Sequence, residues 1–233
     1  MAASGAVVVV GGTRAIGLEI VKHYAAAGEQ VILSGRVAAH VDAAVKEAGP
    51  NVRGVTFDLA RPNEIAPALA DVGPVKYLVL AAIDRDQNSV RDYDLSKALY
   101  LVTLKLVGFT EVVHTLVDRL DSSSSVVLFG GMAKERPYPG STTVSTVNGG
   151  VVGLTRSLVE ELKPIRVNAI HPGVVEDSPY WAGKTQAIEN YTSQTPLGRL
   201  AHMDEIVHAV TFLLENGAVN GIDLIVDGGW HCR

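Results

Sequence analysis

Cysteine is almost absent from this chain, which has one, Cys232, in 233 residues. A single thiol cannot form an internal disulfide or a cysteine-rich metal site. The seven histidines include no His-x-x-x-His pattern. We therefore predict no metal site.

An excess of positive charge is also missing. The formal net charge is −5 and the pI is about 5.8, so no basic surface is predicted for nucleic acid or an anionic membrane. No apolar run approaches the roughly 20 residues that span a bilayer. The run Val7–Val10 lacks the basic segment of a signal peptide, and its β-branched residues predict a buried strand. We expect a soluble cytoplasmic protein.

Short β-branched runs alternate with helical segments along the chain. The predicted strands are Ala6–Val10, Gln30–Leu33, Val52–Phe57, Tyr77–Ala81, Ser125–Phe129, Arg166–Ile170 and Asp223–Val226. The predicted helices are Ala15–Ala27, His40–Ala48, Pro62–Ala70, Leu95–Leu120, Thr142–Leu162 and Met203–Glu215. Strands with continuous apolar content are covered on both faces. The pattern predicts an α/β fold: a single Rossmann-type domain over 1–233, with a doubly wound parallel sheet of about seven strands.

One late segment does not fit the alternation. Residues 176–197 contain Pro179, Gly183 and Pro196 and have an irregular composition. Such a segment suits a mobile substrate lid better than a sheet element.

A glycine-rich turn joins the first predicted strand to the first helix. Gly11, Gly12 and Gly17 let the backbone turn tightly and approach a pyrophosphate at the positive end of the helix. The position between them that would strengthen the motif as glycine is Ala15. Glycines at strand–helix junctions also serve packing, so the motif gains its weight from its place in the alternating pattern.

The end of the second strand bears on cofactor choice. NAD-selective sites place a carboxylate there, but this chain has Ser34 and Arg36, with Arg14 nearby in the glycine turn. Guanidinium groups match the oxygens of a 2′-phosphate, so NADP(H) is preferred over NAD(H). The alternative is that Arg36 only covers a solvated loop. Asp58 is placed either to accept from an adenine amino group or to cap the helix near Pro62.

In these and further motifs the chain resembles the short-chain dehydrogenase/reductase family over nearly its whole length. The motifs are the turn 11–17, Asp58-Leu59, Gly153-Leu154-Thr155-Arg156-Ser157-Leu158, Arg166-Val167-Asn168-Ala169-Ile170-His171-Pro172-Gly173, Pro196-Leu197-Gly198-Arg199 and Val226-Asp227-Gly228-Gly229-Trp230. The resemblance implies hydride transfer between a nicotinamide and a carbonyl or alcohol, in a homodimer or homotetramer. It implies cofactor contacts at Gly11, Thr13, Arg14, Ile16, Gly17, Ser34, Arg36, Asp58, Leu59, Ala81, Ala82, Pro172, Gly173 and Val175.

The chain departs from the family at every catalytic position. The family's serine falls on Gly131, its tyrosine on Val144 and its lysine on Asn148, while its helix asparagine falls on Lys105. The spacing is intact, so a shifted alignment does not restore the residues. Two changes look paired, because asparagine has become lysine and lysine has become asparagine.

Lys105 and Asn148 are therefore the candidate catalytic residues. Lys105 lies on a mostly apolar helix, where partial desolvation would lower its pKa towards neutrality. Alternatively, it reaches the surface or pairs with Asp177 or Glu111. Tyr138 and His171 are weaker proton-donor candidates, each more readily explained as structural.

These residues lead to one main hypothesis and one alternative. The first is an NADP(H)-dependent reductase with an atypical site, acting on a small apolar carbonyl, iminium or enone substrate. The alternative is an inactive cofactor-binding scaffold or redox sensor; a non-redox lyase, isomerase or cyclase is a weaker third. Apolar residues spread around the two long helices favour a homo-oligomer.

Overall fold

The computed structural model describes residues 5–84 and 86–232. Within them, parallel strands form one seven-stranded sheet in the order β3-β2-β1-β4-β5-β6-β7. The strands are β1 Ala6–Val10, β2 Val31–Gly35, β3 Val52–Thr56, β4 Val75–Leu80, β5 Ser125–Phe129, β6 Arg166–Pro172 and β7 Asp223–Val226. Strand order reverses between β1 and β4, so their carboxyl ends flank the crevice where such sheets bind ligands. The predicted fold is confirmed, with small shifts in strand bounds.

Helices cover both faces of the sheet. They are α1 Ala15–Ala26, α2 Ala38–Ala48, α3 Ile65–Ala68, α4 Leu95–Val102, α5 Gly108–Leu116, α6 Thr142–Glu161, α7 Thr185–Gln194 and α8 Met203–Glu215. One apolar core lies under α5 and α6, centred on Phe109, Val151 and Leu158. The other lies under α1 and α8, with Ile20 and Ile206. Valines alternate between the two cores along β1, which explains its continuous apolar sequence.

The predicted helix Pro62–Ala70 is shorter than expected. A 3₁₀ turn, Pro62–Glu64, leads into α3, which ends at Ala68. Proline is accommodated in the first turn because its missing N–H would have no helical partner there. The predicted start of α2 at His40 is also two residues late.

The predicted helix Leu95–Leu120 contains an irregularity. A five-residue π-helical segment, Thr103–Val107, separates α4 from α5, and a 3₁₀ turn, Val117–Arg119, ends the run. Lys105 lies at the centre of the π segment. Single π-helical turns inside α-helices are frequent at functional sites, because the inserted residue is directed away from its regular position.

The segment Leu95–Arg119, called here the composite helix, shows that the prediction of no apolar stretch of membrane-spanning length was wrong. It has 25 residues, and its most apolar window has a mean hydropathy of 1.4. Length and composition alone would allow it to cross a bilayer. The buried side chains Leu104, Phe109 and Leu116 instead belong to the core that packs against the sheet, as in the core helix of a Rossmann fold.

The segment 176–197 is more regular than predicted. It contains a 3₁₀ turn, Pro179–Trp181, and the ten-residue helix α7. The prolines suggested an irregular segment, but both lie outside α7: Pro179 begins the 3₁₀ turn before it and Pro196 follows it. The segment remains a predicted lid.

Candidate active site

One cavity of about 790 Å³ opens at the carboxyl ends of the central strands. It is lined by every candidate cofactor-binding residue and by both candidate catalytic residues: Gly11, Thr13, Arg14, Ile16, Gly17, Ser34, Arg36, Asp58, Leu59, Ala81, Ala82, Lys105, Asn148, Pro172, Gly173 and Val175. The structure thus brings together residues spread over more than 160 positions of the sequence. Their individual roles remain predictions.

The glycine turn has the shape of a phosphate cradle. Gly11 has φ +87°, and a Cβ there would lie 2.6 Å from the Cα of Ala82. A Cβ on Gly17 would lie 2.1 Å from the Gly11 carbonyl oxygen. No side chain caps the N-terminus of α1, so its first-turn N–H groups are available to an anion. The residues present fit the pyrophosphate of a dinucleotide.

Ala15 replaces the middle glycine of the motif, yet the backbone keeps the conformation that a glycine would adopt there. Its φ is +49°, the one positive φ among the described non-glycine residues. The alanine therefore keeps the left-handed conformation for which glycine is favoured, at a cost of about 1 kcal/mol. The turn is strained there but retains its shape.

Arg36 lies at the adenosine end of the cavity, and the structure gives it partners that the sequence did not predict. Its Nη1 donates to Asp84 Oδ2 at 2.9 Å and to the Tyr100 hydroxyl at 2.6 Å. These hydrogen bonds raise the pKa of Arg36, Asp84 contributing most. The Arg36 side chain is about half exposed and lines the cavity, so its contact with a 2′-phosphate and its alternative role at a solvated loop both remain predictions.

The alternative that Asp58 caps the helix near Pro62 is wrong, because the 3₁₀ turn there begins after Arg61 and has no side-chain cap. Asp58 Oδ1 accepts from the Ala60 N–H at 2.9 Å, which closes the turn before the 3₁₀ segment at Pro62. The carboxylate also lines the cavity. One oxygen therefore stabilises the turn, and the adenine contact remains a prediction for the group.

Lys105 is buried, with 1% of its surface exposed. Its Nζ donates to the Ala82 carbonyl at 3.2 Å and lies 4.9 Å from the centre of the Phe109 ring. Burial lowers the pKa of this amine from 10.5 to about 7. A buried amine without a carboxylate partner is costly, since desolvation disfavours the charged form.

Both alternatives considered for Lys105 are wrong. The side chain does not reach the surface, and neither proposed carboxylate pairs with it. Glu111 instead accepts from Thr115, while Asp177 accepts from the backbone N–H of Met203 at the start of α8. Within residues 5–84 and 86–232, the amine has no ion-pair partner among the salt bridges found.

Asn148 lies where the missing serine would be. A Cβ on Gly131 would come within 2.8 Å of Asn148 Nδ2. The amide of Asn148 therefore occupies the space next to Gly131, and it would have to shift to admit a side chain at position 131. Val144, half-buried, completes this wall of the cavity with an apolar surface.

His171 is structural rather than a proton shuttle. Its Nδ1 accepts from the Gly131 N–H at 3.2 Å, so Nε2 carries the proton and donates to Asp223 at 3.1 Å. Burial is the largest cause of its lowered pKa. Both ring nitrogens are occupied and the side chain is fully buried, which leaves none to exchange a proton with a ligand.

Aromatic side chains form the remaining wall. Tyr138, Tyr180, Trp181, Tyr191 and Trp230 line the cavity. Trp181 and Tyr191 meet edge to face, with ring centres 5.6 Å apart, and the rings of Tyr191 and Trp230 are tilted against each other at 5.7 Å.

Arg136 is a cavity residue that sequence reasoning missed. Its guanidinium lies 3.9 Å from the Trp230 ring centre and donates to the Trp230 carbonyl and to Gln194. No local pattern marks it, because its partners are 58 and 94 residues away.

Comparisons with known proteins agree with this fold. The family model for enoyl-(acyl carrier protein) reductase matches residues 10–231. The 3-oxoacyl-[acyl-carrier-protein] reductase of Mus musculus is 31% identical over 228 residues, covering 95% of each chain. A solved short-chain dehydrogenase/reductase family protein has a TM-score of 0.89 at 28% identity over 99% of both chains. An actinorhodin polyketide ketoreductase solved with NADPH gives 0.89 at 26% identity over the full length of both.

The chain therefore belongs to the short-chain dehydrogenase/reductase family, a family of nicotinamide-dependent oxidoreductases. That Gly131, Val144 and Asn148 stand at the positions of the usual serine, tyrosine and lysine remains a prediction from sequence spacing.

Proposed function

We propose that this protein is an NADP(H)-dependent reductase that acts on a small apolar carbonyl, iminium or enone, with Lys105 as its proton donor. The observation that carries the proposal is the buried amine of Lys105, which lines the same cavity as the phosphate cradle and Asn148. A similar protein was solved with NADPH, and Arg14 and Arg36 supply positive charge at the adenosine end.

The cofactor, when bound, supplies hydride to the substrate carbon. The glycine turn and α1 would hold its pyrophosphate, and Pro172, Gly173 and Val175 would contact its nicotinamide end. For a carbonyl substrate, the Lys105 ammonium gives a proton to the oxygen that gains negative charge, and solvent reprotonates the amine. With its pKa near 7, about half of the amine is charged at neutral pH, which suits a general acid.

Asn148 lines the same cavity and supports this step. Its Nδ2 faces Gly131, where a serine hydroxyl is usual in the family. An amide N–H next to the developing oxyanion stabilises it through a hydrogen bond. The apolar Val144 contributes no proton, so an iminium, which accepts hydride without protonation, is the substrate class least affected by the missing tyrosine. The aromatic wall favours an apolar or aromatic substrate.

The test is NADPH oxidation with a panel of matched substrates. Aryl ketones, cyclic iminium salts, enones and quinones should be compared with the protein and without it. We expect turnover of at least one class, with iminium salts the least dependent on pH. Tight NADPH binding without turnover of any class would contradict the proposal and favour the redox-sensor alternative.

A cofactor scaffold would make a different prediction. Its affinity for a protein partner should differ between the NADP⁺-bound and NADPH-bound forms, with no steady rate of oxidation. A pull-down in the presence of each redox form separates the two hypotheses.

We also propose a homodimer or homotetramer assembled through the composite helix. Leu95, Leu99 and Val107 are each about half exposed or more on this helix, and Val152 and Val159 of α6 are only partly buried. Apolar surface of this kind is covered by a second copy in many oligomers. Light scattering between 1 and 50 micromolar (roughly the working range of such assays) should give a multiple of the 24.6 kDa chain mass; the monomer mass throughout would contradict this.

A further inference from the structure

The end of β2 carries no carboxylate, but Asp84, from another segment, lies next to Arg36 at the adenosine end of the cavity. Asp84 follows β4, and its Oδ2 accepts from Arg36 Nη1 at 2.9 Å. The same nitrogen donates to the hydroxyl of Tyr100 on α4, at 2.6 Å. Arg36, Asp84 and Asp58 all line the cavity. Three separate segments, following β2, following β4 and within α4, therefore meet at one guanidinium.

From this contact we propose that Asp84 is a specificity-determining residue, which competes with a 2′-phosphate for Arg36 and so limits the preference for NADP(H) over NAD(H). The inference rests on the proposed function, in which Arg36 receives the 2′-phosphate. Asp84 acts on the cofactor through Arg36 and through its own charge.

The direction of the effect follows from charge. A phosphate monoester carries about −1.5 to −2 charges at pH 7. When it binds next to Arg36, it must either displace Asp84 or share the guanidinium with it. Displacing Asp84 breaks its 2.9 Å ion pair with Arg36. Sharing the guanidinium places the phosphate next to the Asp84 carboxylate, and the two negative charges repel each other. NAD(H), which has a neutral 2′-hydroxyl, meets neither cost. The carboxylate of Asp84 can even accept from that hydroxyl.

Tyr100 provides the matched control. Its hydroxyl binds the same Nη1 atom, but it is uncharged in this role. Burial, followed by the charge of Asp58, raises the pKa of Tyr100, so it remains protonated at neutral pH. Removing the Tyr100 hydroxyl changes one hydrogen bond to Arg36 without changing the charge near the phosphate.

The test measures binding and does not depend on turnover. The probes are 2′,5′-ADP and 5′-AMP, which differ only in the 2′-phosphate, titrated by calorimetry into the wild type, Asp84→Asn and Tyr100→Phe. We expect Asp84→Asn to increase the ratio of affinities, 2′,5′-ADP over 5′-AMP, at least about tenfold. Tyr100→Phe should change this ratio less than about threefold. The increase in Asp84→Asn should shrink in 1 M salt, because screening weakens the repulsion between partly exposed charges.

The outcomes separate this inference from the proposed function. An unchanged or lowered ratio in Asp84→Asn overturns the inference, as does an equal change in Tyr100→Phe. A raised ratio together with no NADPH oxidation by any substrate class supports the inference and contradicts the reductase activity. If neither probe binds the folded wild type, both the adenosine site and the inference are wrong. Melting curves of the variants verify that each is folded.

Discussion

Replacing Lys105 by methionine should lower ketone reduction at least about 100-fold at pH 7, because general acid catalysis contributes about 10²–10⁴-fold. Iminium reduction should fall less than about tenfold, since that reaction needs no proton. The Kd for NADPH should stay within about threefold of the wild type. Methionine keeps most of the stem and removes the ammonium, so steady-state rates and fluorescence titration with NADPH separate the charge from the packing.

The same substitution should make the protein more stable. The pKa of Lys105 is lowered from 10.5 to about 7 in the folded protein. As pH falls from 10.5 towards 7, the unfolded chain therefore takes up a proton that the folded protein does not, and the free energy of unfolding decreases. At neutral pH this lowers the free energy of unfolding by about 4 kcal/mol, at about 1.4 kcal/mol per pH unit. Methionine removes this penalty but leaves the Ala82 carbonyl without its hydrogen bond, which costs about 1–3 kcal/mol. The Tm should therefore rise by about 3–8 °C at pH 7, and the gain should shrink towards pH 10.

Lys97→Met is the matched control for both effects. Lys97 lies on the same composite helix, is exposed, and forms only a 3.6 Å ion pair with Asp94. Its loss should change Tm by no more than about 2 °C, because exposed pairs contribute little, and should leave the rates unchanged. A lower Tm in Lys105→Met than in the wild type, with ketone reduction intact, would mean that Lys105 is a structural residue.

Restoring the usual tyrosine and lysine should not restore a normal enzyme. In the double variant Val144→Tyr with Asn148→Lys, a second ammonium enters the cavity next to the buried Lys105, and like charges disfavour each other's ionisation. We expect its Tm to fall by about 10 °C or more, as for an unpaired buried charge costing several kcal/mol. Adding Lys105→Asn should recover most of that loss. The segment around Lys105 packs against α6, which carries position 148.

Two results would contradict the paired exchange. Equal melting temperatures for the double and triple variants would show that positions 105 and 148 do not interact. A double variant with wild-type stability would show that the cavity solvates a second amine. In a further variant, Gly131→Ser, the Asn148 amide must shift, because the new Cβ would lie 2.8 Å from Asn148 Nδ2.

The sheet and the phosphate turn were predictable because local sequence determines them. Val7–Val10 must be covered on both faces, and Gly11 and Gly17 stand where any Cβ would clash with backbone. The spacing that assigns the usual tyrosine and lysine positions to Val144 and Asn148 remains a prediction. These features depend on period, residue size and chain order, all of which are visible in one sequence.

Other features depend on contacts between distant residues and could not be predicted. The π-helical segment at Lys105 has the same apolar periodicity as an ordinary helix, so the sequence predicted one continuous element. The partner of Arg36 is 48 residues away, on a loop with no motif of its own. The helix α7 has no buried residues, so it lacks the apolar stripe by which a helix is recognised.

The central claim is that the buried Lys105 ammonium protonates the product of hydride transfer, and the pH dependence of kcat tests it most directly. At saturating NADPH and ketone, the wild-type rate should fall about tenfold per pH unit above about pH 7, as the amine loses its proton. Reduction of an iminium salt of the same skeleton should stay level between pH 6 and 9 (roughly the range in which such a profile is interpretable), and the residual ketone rate of Lys105→Met should lose the descending limb. A ketone rate that is independent of pH in the wild type, or that falls equally in Lys105→Met, would contradict the account.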